Sequence, residues 1–113
     1  MGERMAHEQY VQSSRHRAVG LAQGILAGST PLLEGCHALA SLHQAVEVAE
    51  QDADFKAFAL VSSECDALPT GKARELWAPE ALARLEPEVQ SAIAWATPLV
   101  LPACRSIVQR FGA

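Results

Sequence analysis

The chain has 113 residues, half of them apolar but only 5% aromatic, and a formal net charge of −4. A single domain of this size buries roughly two-thirds of its unfolded surface without help from a metal or disulfides, and an alanine-rich, aromatic-poor composition suits packed helices better than strands. Nine Lys and Arg residues are too few and too scattered for a nucleic-acid stripe, and Cys36, Cys65 and Cys104, odd in number and without a Cys-x-x-Cys pair, make no disulfide framework.

Residues 1–6 carry no pattern and are expected to be disordered. Helix is expected from His7, where Val11, Ala18, Leu21, Ala22 and Ile25 recur at three- and four-residue steps and give one apolar face. Gly20, Gly24 and Gly28 form a second stripe; since each glycine costs a helix about 1 kcal/mol against alanine, the spacing predicts a groove where another helix backbone comes close. Gly28 can end this helix, with Thr30 as N-cap and Pro31 at the first position of a second one. The apolar stripe of the second helix is Leu32, Cys36, Leu39, Leu42 or His43, and Val46. A connection this short predicts an antiparallel αα-hairpin. His37 and His43 lie six apart and point away from each other, so they cannot share a metal as an i, i+4 pair would.

Glu34, Glu47, Glu50, Asp52 and Asp54 follow one another with no Lys or Arg between residues 32 and 55, so this stretch carries a charge of −5 by itself. It is a candidate acidic binding face for a basic protein partner, although a charge run is more often a solvated surface. Asp52 or Asp54 is expected to cap a third helix over 55–65, with Phe55, Phe58, Val61 and Cys65 inward.

The next stretch crowds acids, bases, a turn and an aromatic together. Leu68-Pro69-Thr70-Gly71 has proline and glycine where a turn uses them. Glu64 and Asp66 precede it; Arg74 and Trp77 follow it three residues apart and can share a face. Glu64, Asp66, Arg74 and Trp77 are therefore the candidate functional cluster. Its plainer reading is a latch, with Arg74 clamping Glu64 or Asp66 over the core; its functional reading is a carboxylate pair beside an arginine that holds a substrate anion. Leu-Pro-Thr-Gly is no sorting signal without a hydrophobic tail, and Thr-Gly-Lys lacks the strand and upstream glycine of a phosphate loop.

Pro79 is expected to start a short helix to Leu85 and Pro87 to start the last one. Val89, Ile93, Ala96, Val100, Cys104, Ile107 and Phe111 keep helical phase through Pro98 and Pro102, which predicts one helix bent at those prolines, or two collinear ones with Thr97 recapping at the bend. Arg105 and Arg110 fall in its last turns, where cations suit the helix dipole. The uncharged run 89–104 is shorter than the ~20 residues of a membrane span and contains two prolines, and the N-terminus lacks a secretory pattern, so no membrane association and a cytoplasmic location are expected.

Together these elements predict an all-α, single-domain bundle of four to five helices over 1–113. Glu34-Gly35-Cys36, the series Ser63-Glu64, Asp66, Leu68-Pro69, Gly71, Arg74, Trp77 and Glu80-Ala81-Leu82, and Ala103-Cys104-Arg105 with Ile107, Arg110 and Phe111 resemble a family of small bacterial proteins known only as a domain of unknown function. The likeness spans about 25–111. Where that pattern has an arginine and a threonine, this chain has His37 and Cys65. The resemblance implies a bacterial, cytoplasmic, helical stand-alone domain and brings no activity.

Two functions compete. The first is a protein-binding module without catalytic activity, immunity- or antitoxin-like, using the acidic face toward another protein, with self-association a further option. The second is a small enzyme or ligand-binding bundle, with Glu64 or Asp66 as acid/base, Arg74 holding an anion, and His37 or His43 helping. A zinc site from Cys36, His37, Cys65 and Cys104 would need ligands from three helices, so no metal or other cofactor is expected.

Overall fold

The computed structural model describes residues 2–112, with side chains for 6–71 and 73–112. The described residues form four α-helices and no strand, and 77% of the chain is helical. α1 spans Gly2–Ala27, α2 Leu32–Ser41, α3 Ala53–Glu64 and α4 Pro79–Phe111, with a 3-10 turn at Gly71–Leu76 before α4.

The helices run up, down, up and down. α1 returns on α2 through Gly28, whose φ of +82° closes the first helix, and Ile25 packs against Gly35. The start of α2 meets the far end of α3, where Glu34 accepts from the Gly71 N–H at 2.7 Å and His37 shares a 2.6 Å hydrogen bond with Ser62. The start of α3 meets the end of α4, where Asp54 accepts from Ser106 at 2.6 Å. α1 packs along α4, with the Arg15 guanidinium 5.1 Å from the centre of the Phe111 ring. The result is a rod of 55 × 27 × 25 Å.

Phe55, Phe58, Leu39, Val61, Val100 and Ile107 are fully buried at the bundle axis together with all three cysteines. Phe58 meets Phe55 edge-on at 5.6 Å, and His43 stacks on the Phe55 ring at 5.2 Å. Every buried side-chain polar atom among the described residues has a hydrogen-bond partner.

Several sequence expectations are corrected. α1 begins at Gly2, ahead of the expected start at His7; Met1 lies outside the described residues. The glycine stripe receives no neighbouring helix: Gly20 is open, Gly24 makes room for the Thr30 side chain, and Gly28 supplies the left-handed turn. Gly35 is the position of close helix approach, where a Cβ would come within 2.5 Å of Ile25 Cδ1. Thr30 packs there instead of capping, and Pro31 is the N-cap of α2. α2 ends at Ser41, short of Val46, and Glu47 takes a left-handed φ of +53° in the turns that follow. Val46 is still buried, and its carbonyl accepts from Arg15 Nε at 2.9 Å.

The two helices expected after the corner are one, continuous through Pro87, Pro98 and Pro102. Each proline removes one N–H and strands the carbonyl four residues earlier. All three, and the residues whose carbonyls they strand, Ala83, Ala94 and Pro98, lie on the solvent side, where water can serve the freed acceptors. Beside Pro98, Thr97 Oγ1 donates to the Ile93 carbonyl at 2.6 Å.

Candidate functional site

The corner is built differently from the expected latch. Glu64 and Asp66 are exposed and neither has an ion-pair partner among the described residues. Arg74 turns away from both and meets Glu86, the residue before Pro87, at 3.7 Å, with both side chains close to half exposed. The reason is the 3-10 turn, which carries Arg74 past the end of α3 and over the first turns of α4. The contact that ties the corner down comes from Glu34, whose carboxylate holds the left-handed Gly71 through its N–H. Trp77, 37% exposed, leaves the acids as well and joins Leu68, Leu85, Arg84 and Glu88 around an open pocket of about 520 Å³. The four corner residues thus do not converge into an acid/base and anion-holding constellation.

The acidic stretch is also not a free face. Arg110 closes over both aspartates, donating from Nη1 to Asp54 at 2.7 Å and to Asp52 at 3.1 Å, and from Nη2 to Asp52 at 2.8 Å. Asp52 is the α3 N-cap and accepts from Phe55 N–H at 3.2 Å. Burial would raise its pKa, but Arg110 and the helix N–H groups outweigh burial and hold it below its ordinary value; the same pairing raises Arg110. Glu47 meets His7 at 2.9 Å. Glu34 is committed to the corner, so Glu50 is the one member of the set without a partner among the described residues.

The thiols and histidines do not gather a metal set: no three described His, Cys, Asp or Glu side chains could hold an ion together. Burial pushes the Cys36 thiol up to about 12 and Cys104 up to about 11, and raises Cys65 as well, so these are inert core groups.

The surface that stands out lies on α4. Its inner face gives Val89, Ala96, Val100, Ala103, Cys104 and Ile107 to the core. Its outer face leaves Trp95 43% and Leu99 38% exposed, one turn apart, in a run from 89 to 104 that has no charged residue. Glu88 and Arg105 bracket the run; both are exposed and neither has an ion-pair partner among the described residues. An 18-residue window of α4 reaches a mean hydropathy of 1.3 and is 28% buried, so by length and composition this helix could cross a membrane, a test that core helices of soluble proteins also pass. The expectation of no span rests on the short uncharged run and its two prolines, and leaves out the flanking turns that lengthen the apolar window. The core phase of α4 is the signal that marks it as a helix in the sequence; the opposite phase of the same run carries this face.

Fold and surface together define a class: an up-down four-helix bundle whose long fourth helix presents an uncharged outer face. Comparison of the chain with protein-family models, with curated proteins and with solved structures returns no match.

Proposed function

We propose that this chain is a protein-binding module that acts without catalytic chemistry and docks through the outer face of α4. The observation that carries the reading is the exposed pair Trp95 and Leu99 within the uncharged run. Leaving apolar surface in water forgoes about 25 cal/mol per Å², and contiguous exposed apolar patches mark interaction surfaces more often than single exposed residues do. Tryptophan is also the side chain that most often anchors protein interfaces. The acidic stretch is a weaker docking surface, because Arg110, His7 and the Gly71 N–H already occupy four of its five carboxylates. An enzymatic reading lacks the convergence of Glu64, Asp66 and Arg74 that it needs.

The test is affinity capture with immobilised wild-type chain and with a Trp95→Glu/Leu99→Glu variant whose helix content matches by circular dichroism. A protein, including a differently tagged copy of this chain, that binds wild type and is lost with the variant supports the reading. Identical capture by both would refute it.

A further inference from the structure

The proposed docking face has an internal order that names its occupant. Among the exposed positions of α4, Glu88, Ser91, Trp95, Pro98, Pro102 and Arg105 recur at alternating steps of three and four residues, with the exposed Ala94 and Leu99 beside them. That is the spacing of a seam on which two helices pack side by side, alternate positions of one facing alternate positions of the other. Folding this seam back on itself about a point midway between Ala96 and Thr97 superposes Glu88 on Arg105, Ser91 on Pro102 and Trp95 on Pro98. The next layer outward superposes Arg84 on Gln109, both also exposed.

We infer that the occupant is a second copy of this chain, bound as a two-fold dimer with the two α4 helices antiparallel. The inference rests on the protein-binding reading of α4 and supplies its partner. A two-fold contact uses the same patch twice, so the patch must complement itself, and this one does so in charge and in size. Each end of the dimer seam brings Glu88 of one copy to Arg105 of the other, giving two symmetric pairs from groups that have no ion-pair partner among the described residues of their own chain. In the middle, the bulk of Trp95 lies against Pro98 of the second copy, with the small Ala94 beside it. Pro98 also frees the Ala94 carbonyl from its helical donor, which leaves an acceptor on the seam for an N–H such as the indole of the opposing Trp95. A parallel pairing would set Glu88 against Glu88 and Arg105 against Arg105, so like-charge repulsion selects the antiparallel arrangement.

The experiment is sedimentation velocity on the full chain from about 1 to 200 µM, with Trp fluorescence followed over the same range. Wild type is expected to pass from 12.1 kDa to twice that mass, with a blue shift as Trp95 leaves water. Glu88→Arg and Arg105→Glu each put like charges at both ends and are expected to weaken dimerisation at least about tenfold. Mixing these two single variants, or combining both changes in one chain, restores opposite charges at every end and is expected to restore the dimer. These surface changes leave the core untouched, and circular dichroism verifies the fold of each. A wild type that stays monomeric, a dimer unaffected by either single variant, or a mixture that fails to associate would overturn the inference. A monomeric wild type that still captures another protein through Trp95 and Leu99 would leave the protein-binding reading standing; capture of vesicles alone through those residues would overturn both.

Discussion

Arg110→Ala is the perturbation that most directly tests how the acidic stretch is used. The Arg110 side chain is 34% exposed, whereas the Asp52 and Asp54 side chains are only 12% and 16% exposed. Three charge-assisted hydrogen bonds would be worth about 1.5–3 kcal/mol each if fully buried, but a guanidinium in partial contact with water moves each bridge toward surface values of about 0.2–1 kcal/mol. Losing both bridges at the upper surface value, with about 0.5 kcal/mol for the cation–π contact to Phe111, gives a destabilisation of about 2.5 kcal/mol. With an unfolding entropy of about 2.1 cal/mol/K per residue, that is a fall in Tm of about 10 °C by differential scanning calorimetry. The pH dependence has a definite sign. The folded-state pKa of Asp52 lies below its ordinary value, so its stabilisation is present above about pH 4 and is lost as pH falls through the folded value. The gap between wild type and Arg110→Ala should therefore be widest near neutrality and shrink in acid. Adding Asp54→Asn to Arg110→Ala should recover part of the loss, because two unpaired carboxylates no longer face each other. A variant that melts within about 1 °C of wild type at pH 7 would refute the clamp.

Two further outcomes follow from the packing. Gly20→Ala meets no atom within 4 Å, whereas Gly35→Ala drives its methyl to 2.5 Å from the buried Ile25; denaturant melts should show the first stabilising by about 0.5–1 kcal/mol and the second destabilising by about 1–3 kcal/mol, and equal signs would contradict the assigned helix contacts. All three cysteines are free and buried, with Cys36 pushed up to about 12 and Cys104 to about 11. A thiol reagent at pH 8 should therefore label them only after guanidinium is added, and a native thiol reacting within about tenfold of the unfolded rate would show the core to be wrongly packed.

The helices themselves were legible in the sequence because their signals are local. Apolar residues at steps of three and four mark the inner faces, Asp52 caps α3 through its own third-residue N–H, and the unbroken phase from Val89 to Phe111 carries α4 through Pro98 and Pro102. Pairing was another matter, since which charge meets which is set by the positions of helix ends that no local rule contains. Arg74 lies near Glu64 in sequence, yet the 3-10 turn carries it to Glu86. Arg110 is 58 residues from Asp52 and meets it because α3 and α4 run antiparallel with those ends level. Glu34 reaches Gly71 across 37 residues for the same reason, at the other end of the rod. The composition of the outer face of α4 was likewise written in the run from 89 to 104. Its exposure, however, depends on α1 and α3 covering the opposite side of that helix and leaving Trp95 and Leu99 to the solvent, which is a property of the assembled bundle and not of any one segment.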